Sequence, residues 1–283
     1  MRSIAGFFAV CLFVSRASAE TFTETFTGGS NHGGWSFGTT NGRIDAVGGN
    51  PGAFFHDPFV DTFAPQPRTA WGVESEFTGN YRQRNVTAVG VDLAIFHVDF
   101  SAAERPLTVM LISDNGTPNN FNDDWAAYQM GDVNVPTPGE GWRSFTFEIP
   151  SQSPALPAGW STIAFGPNSP PSPDWNDVIT DVDQLRFFYG NPEFFFIFQG
   201  WDLGLDNPSM TTQATFTRGD VNCDGAVNNF DIDAFVLALS DPAAYAAVYP
   251  NCDIASADVS VDGNVNNFDI DPFVACVAAG RCP

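Results

Sequence analysis

The chain has 283 residues, with 33 Asp and Glu against 11 Lys and Arg, a formal net charge of −22 and 43% hydrophobic residues. Such a chain holds enough apolar side chains for a core and is not a disordered acidic polymer. Every basic residue is Arg, and so acidic a surface argues against nucleic acids and anionic membranes as partners while suiting cations and neutral polymers.

The first 19 residues read as a secretory signal: Arg2, an apolar run over residues 4–14, then Ala17, Ser18 and Ala19 as a small-residue cleavage site. The run is too short for a bilayer, which needs about 20 residues. Val10 is too bulky to precede a lipidated Cys11. No later segment is long and apolar enough for membrane insertion. The expectation is a secreted, soluble chain starting at Glu20, with 9 Arg against 33 acidic residues and a net charge of −24.

Residues 20–215 carry strand-like runs between Gly, Pro, Asn and Asp clusters. In order they are WGVESEF (71–77), TAVGVDLAIFHV (87–98), LTVMLIS (107–113), RSFTFEI (143–149), STIAFG (161–166), QLRFFYG (184–190), FFFIF (194–198) and WDLGLDN (201–207). Val89, Val91, Leu93 and Ile95 alternate, which predicts a strand with one face in a core. No segment here has helical periodicity. Many short strands with such turns predict a β-sandwich of the jelly-roll kind. Residues 211–219 read as a short linker.

The sandwich offers several functional candidates. Trp35, Trp71, Trp125, Trp142, Trp160, Trp175 and Trp201 are each a core filler or a platform for a sugar ring, and core is the expectation for most. The loop SDNGTPNNFNDDWAAY (113–128) sets Asn and Asp beside Trp125 and suits sugar hydroxyls, a cation or plain solvent. Glu74 and Glu76 alternate, so on a strand they share a face. Glycoside hydrolysis needs two carboxylates across a cleft. His97 reads as structural, beside His32 and His56, and no G-x-S-x-G elbow is present. No catalytic residue is identified.

From residue 216 to 283 the pattern changes. Cys223, Cys252, Cys276 and Cys282 read as two disulfides in a small secreted module. Of three possible pairings, Cys223–Cys252 and Cys276–Cys282 are expected, the second closing a short loop. A zinc site is disfavoured, since there is no C-x-x-C pair and the tail has no His. Ile232, Phe235, Val236 and Leu239 are spaced i, i+3, i+4, i+7, and so are Ile270, Phe273, Val274 and Val277, predicting an apolar stripe on each of two helices. A third helix is expected over residues 242–248, with Asp241 as N-cap and Pro242 at its first position.

The phrase GDVNCDGAVNNFDID recurs 38 residues later as ADVSVDGNVNNFDID. Asp220, Asn222, Asp224, Ala226, Asn228 and Asp231 stand at loop positions 1, 3, 5, 7, 9 and 12, with Gly225 at position 6. Asp258, Ser260, Asp262, Asn264, Asn266 and Asp269 repeat the pattern around Gly263. This is the EF-hand calcium-loop spacing. Calcium takes six to eight oxygens, position 7 gives only its carbonyl, position 9 often works through water, and the glycine permits the turn. Three carboxylates per loop repel unless a cation lies among them. The expected cofactor is Ca2+, two ions in the module.

Position 12 is Asp where the common EF-hand has Glu, and no helix enters the first loop. With the duplication, these features resemble dockerin type I modules, and DVNCDGAVNNFD matches their D-x-N-x-D-G-x-V-N-x-x-D pattern throughout. The resemblance covers nearly all of residues 220–283. It implies two calcium ions and docking onto a cohesin-like scaffold protein through Asn229, Phe230, Asn267 and Phe268 at loop positions 10 and 11. The small hydroxyl and basic helix residues common in cellulosomal dockerins are absent. Both Phe residues also have an inward-packing alternative. WDLGLDNPSM resembles the closing strand of galactose-binding-like and laminin-B-like jelly rolls over that short stretch. Together the resemblances imply a non-catalytic protein that recognises a polysaccharide or cell-surface glycan and is docked into an extracellular assembly, in polysaccharide breakdown. A glycoside hydrolase or lyase with its site in the sandwich, and a structural surface protein with a calcium-rigidified tail, stay open.

Overall fold

The computed structural model describes residues 19–117, 120–166, 168, 174–195, 197–213, 216–250 and 252–282. Apart from Ala19, the expected signal segment lies outside the described residues. The chain divides into two units, Glu20–Gln213 and the described part of Ala214–Pro283.

The first unit is built on β1 (Ala19–Thr23), β2 (Arg43–Gly49), β3 (Gly52–Thr62), β4 (Val86–Val98), β5 (Pro106–Ser113), β6 (Trp125–Asn134), β7 (Arg143–Glu148), β8 (Ser161–Ala164), helix α1 (Trp175–Thr180), β9 (Gln184–Tyr189) and β10 (Gln199–Gln213). One sheet has the order β2-β3-β10-β4-β7, with β1 also on β10; the other has the order β8-β6-β5-β9. Side chains from both sheets meet in one core: Val89, Val91, Leu93 and Ile95 of β4, Leu107, Val109 and Leu111 of β5, Leu185, Phe187 and Tyr189 of β9. The unit is a two-sheet β-sandwich. The alternation read in β4 therefore does face a core, because side chains of a strand point to opposite faces in turn.

Several sequence expectations change. Residues 71–77 form a turn, so Glu74 and Glu76 are exposed loop residues and share no strand face. The described residues of 194–198 are not a strand; Phe194, Phe195, Ile197 and Phe198 are exposed in the loop before β10. An all-apolar run lacks the period of two, so its apolarity alone did not specify a strand. The 113–128 segment is loop only between β5 and β6, and Trp125 opens β6 in the core. A short helix, α1, does occur: Asp174 accepts from the Asn176 amide as N-cap, and Trp175, Val178 and Ile179 are buried. It is too short to show periodicity. β10 runs through Gln213, shortening the expected linker. His97 is exposed at the end of β4, 3.4 Å from Asp99.

The second unit holds α2 (Asp231–Ser240), α3 (Pro242–Val248) and α4 (Ile270–Ala279). Asp241 accepts from the Ala244 amide and Pro242 stands in the first turn of α3, as expected. Disulfides join Cys223 to Cys252 and Cys276 to Cys282. Only part of each predicted stripe is buried. Phe235 and Phe273, equivalent residues of the two repeats, stack in parallel with centroids 3.9 Å apart. Ile232, Val236, Ile270 and Val274 are exposed. The small Ala234 and Ala238 share the buried face of α2 with Phe235, and Cys276 shares that of α4 with Phe273. Among the described residues, no helix is long and apolar enough to cross a membrane.

Phe187 is fully buried, between Trp35 at 6.0 Å and Phe147 at 6.1 Å. Phe187→Ala is expected to cost about 3–5 kcal/mol, against less than about 0.5 kcal/mol for Phe59→Ala at an exposed position. Urea unfolding followed by Trp fluorescence measures both on the sandwich alone, because all seven Trp residues lie in it.

Candidate functional site

On β9 the inward residues alternate with Gln184, Arg186 and Phe188, which face away from the core. The cross-strand register builds rows on that outer face. Ile163 of β8, Ala126 of β6, Ile112 of β5 and Gln184 form one row; Ser161, Tyr128, Met110 and Arg186 form the next. Ala64, Met110, Ile112, Ala126, Tyr128 and Phe188 form a second apolar cluster there, with Phe63, Trp71 and Ile163 packed on it. The segment before Trp71 runs beside β9: the Leu185 carbonyl accepts from Thr69, and the Phe187 and Tyr189 amides donate to Pro67 and Pro65.

Where this segment, the β5–β6 loop and the end of β8 converge, Arg68, Trp71, Ile112, Phe121, Asp124, Phe165, Gln184 and Arg186 line a pocket of about 470 Å³. Small-ligand sites have this size and this mixture of aromatic walls and few polar groups. Trp71 meets Phe121 edge-on at 5.9 Å, and the Arg186 guanidinium lies 5.8 Å from the Phe165 centroid. Phe121 is 64% exposed. The Trp71 indole N–H is enclosed yet has no hydrogen-bond partner. Arg186 donates through Nε and Nη2 to Gln184 Oε1 and through Nη1 to Gln66 Oε1. Burial, with the Arg68 charge, pushes Arg186 down to about 9. Burial, then the charges of Asp114 and Asp123, push Asp124 up to about 6, partly offset by Arg186.

Of the Trp residues, only Trp71 and Trp142 are not buried. The candidate sugar platform is therefore Trp71, and Trp125 beside the Asn-rich loop is core. The loop does contribute Phe121 and Asp124. Sequence reasoning missed Arg68, Gln184 and Arg186. Gln184 and Arg186 were signalled only as polar residues at alternate positions of a largely apolar strand, and nothing local marked Arg68. Glu74 opens onto a different cleft of about 510 Å³, near Asp181 and Asp183. His56 is held between Asp45 (2.5 Å) and Asp202 (2.7 Å), and His32 lies 2.8 Å from Glu24.

In the second unit the two repeated loops have the same internal geometry. Asp220 accepts from the Asp224 and Gly225 amides, and Asp258 accepts from those of Asp262 and Gly263. Asp224 and Asp262 each accept from the amide two residues on. Asp231 accepts from the Val221, Asn222 and Asn228 amides, and Asp269 from those of Ser260 and Asn266. Asn228 and Asn266 take the amides of Phe230 and Phe268, so the last carboxylate and its Asn cap the helix reciprocally. Gly225 and Gly263 have φ of 90° and 84°. So do Cys223 (57°) and Val261 (63°) at loop position 4 adopt positive φ, an uncommon state for a β-branched residue.

Asp220, Asp231, Asp258 and Asp269 are buried. Burial raises Asp220, and the charges of Asp231 and Asp224 raise it further. Among the described residues, no three His, Cys, Asp or Glu side chains gather into a metal-holding group. The donor set nonetheless fits an oxygen-seeking cation. Each carboxylate oxygen that accepts one amide keeps a second lone pair, and Ser260 Oγ, at loop position 3, is buried without a partner. Asn229 and Asn267 are exposed, and Phe230 and Phe268 are each 71% exposed, so the inward-packing alternative for the two Phe is not taken. Val236, Leu239, Val265, Asn267 and Ile270 line an open groove of about 480 Å³.

The sequence matches no protein-family model and no curated protein. Its solved structural neighbours are distant. A family 11 carbohydrate-binding module aligns at 16% identity and a TM-score of 0.38, covering 72% of this chain and 100% of that one. The C-terminal family 22 carbohydrate-binding module of Clostridium thermocellum Xyn10B aligns at 12% and 0.34, covering 69% and 95%. The K1 adhesin domain of Lys-gingipain from Porphyromonas gingivalis aligns at 12% and 0.31, covering 69% and 99%.

Asp124, Asp183 and Asp206 all rise from an ordinary 3.8 to about 6, with burial as the first cause. Between those values the folded chain binds more protons than the unfolded one, so stability falls as pH rises through that window. The Trp-reported melting temperature is expected to be higher at pH 5 than at pH 7. Asp206→Asn should flatten part of that slope; a melting temperature that rises with pH contradicts the assignment.

Proposed function

We propose that the chain is an extracellular, glycan-binding protein whose sandwich holds saccharide in the pocket of Trp71, Phe121, Phe165, Asp124, Gln184 and Arg186. The observation that carries this is an aromatic wall with an unpartnered indole N–H beside fixed hydrogen-bonding groups. Sugar rings stack on aromatic faces, and their hydroxyls need directed donors and acceptors. The two disulfides fit an oxidising compartment and so a secreted protein.

The C-terminal unit is proposed as a calcium-loaded, dockerin-like adaptor. Asp220, Asn222, Asp224, the Ala226 carbonyl, Asn228 and Asp231 would hold one ion. Asp258, Ser260, Asp262, the Asn264 carbonyl, Asn266 and Asp269 would hold the other. A bound cation supplies the charge that lets three carboxylates share each loop. The exposed pairs Asn229–Phe230 and Asn267–Phe268 are proposed to meet a cohesin-like scaffold protein, tying the glycan-binding unit to polysaccharide breakdown.

Affinity electrophoresis of the full chain through gels containing single polysaccharides tests the first half. Retardation by at least one polymer, with affinity reduced about ten-fold or more by Trp71→Ala, is expected. For the second half, Asp224→Ala combined with Asp262→Ala is expected to abolish the gain of helical circular dichroism on adding calcium. A double variant that still gains helix means that the ligand assignment is wrong.

A further inference from the structure

Two of the chain's 11 basic residues, Arg68 and Arg186, meet in the pocket, on a protein whose net charge is −22. Their backbones are bridged, so the two side chains stand at facing positions. Among the described residues, the hydrogen bonds of the Arg186 guanidinium go to neutral amide oxygens, at 3.0 and 2.6 Å from Gln184 and 2.9 Å from Gln66. A guanidinium has five N–H donors, so two of its donors remain. Among the described residues, no ion pair ties either guanidinium to a carboxylate. Room for Arg68 is built in: Gly38 adopts φ of +83°, and a side chain there would collide with Arg68 Nη2 and Cζ.

Two guanidinium groups taken partly out of water repel one another; burial depresses Arg186 first, and the Arg68 charge adds to it. An anion between them reverses that sign and receives charge-assisted, bidentate hydrogen bonds, which a planar fork supplies to carboxylates and sulfates. Asp114 and Asp123 act on Asp124 from nearby, but the charged groups that line the pocket are two Arg and one Asp, a net positive lining. A neutral hydroxyl would leave that charge uncompensated. The acidic surface elsewhere repels polyanions within roughly a Debye length of about 8 Å at physiological salt, so attraction is confined to a group that enters the pocket.

We propose that the pocket recognises a saccharide bearing an anionic substituent, a uronate carboxylate or a sulfate ester, seated on Arg68 and Arg186 while its ring lies against Trp71 and Phe121. This rests on the glycan-binding role above and names its substrate class.

Titration calorimetry of the full chain against two matched pairs of oligosaccharides tests it: oligogalacturonate with its methyl ester, and a sulfated galactan oligosaccharide with its desulfated form. Neutral xylo-oligosaccharide is a fifth probe. In one pair the charged member should bind about ten-fold more tightly or better. The first pair identifies a carboxylate and the second a sulfate. Arg68→Gln should remove the preference, and so should Gly38→Ala, which displaces Arg68 without changing charge. Should both variants lose the native Trp fluorescence, the matched pairs on the unaltered chain still decide. Equal binding of charged and neutral members, or binding of the neutral sugars alone, overturns the anionic assignment and leaves glycan binding standing. Failure of all five to bind a folded chain counts against both.

Discussion

The two-residue period of β9 is the constraint on which the candidate glycan site depends. Leu185, Phe187 and Tyr189 are locked into the core, and burying such side chains stabilises by about 1.5–3 kcal/mol each. Once they point inward, Gln184, Arg186 and Phe188 must point outward, because a slip of one residue would put a guanidinium in the core. The pairing of β9 with β5, and of β5 with β6, then sets Arg186 in line with Met110 and Tyr128. Core packing thus positions a side chain on the opposite face of the sheet. The segment that runs antiparallel beside β9 adds Arg68 and Trp71, which no local pattern connects with β9.

In the second unit one carboxylate per repeat does two things. Asp231 closes its loop onto the Val221 and Asn222 amides and takes the Asn228 amide at the start of α2; Asp269 closes the second loop onto the Ser260 amide and takes that of Asn266 ahead of α4. An Asp reaches a shorter distance than a Glu, so the loop is drawn against the helix start. Duplication brings Phe235 onto Phe273, and this stacked pair shares the interior with Val221, Val227, Tyr245, Val259 and small Ala and Cys neighbours. Little apolar surface is then needed from Ile232, Val236, Ile270 and Val274, which stay in solvent beside Phe230 and Phe268. These exposed apolar residues, repeated in both halves, are the surface that the proposed docking role would use.

Charge is distributed to match. The chain carries a net charge of −22, while two of its 11 Arg residues are gathered in one pocket on the outer face of the four-stranded sheet. Long-range repulsion of polyanions and the proposed short-range attraction for one anionic group are compatible because the first is screened by salt and the second is partly enclosed.

Much of this was legible in residue order. Alternation in β4, the strand-like run of β9, the cap of α3, the twin loops and the expected pairs of cysteines are local or repeated signals, and backbone geometry acts on them locally. The sequence also carried the amphipathic period of α2 and α4, but period alone cannot say how much of a stripe a small module has room to bury. The described residues of 194–198 and the turn at residues 71–77 went the other way from their composition, because among the described residues no neighbouring strand takes up their backbone hydrogen bonds as a sheet ladder. The pocket was not legible. Arg68, Phe121, Phe165 and Arg186 lie far apart in sequence and meet only because antiparallel register and loop closure bring them together, and register is decided by the whole core rather than by any one segment.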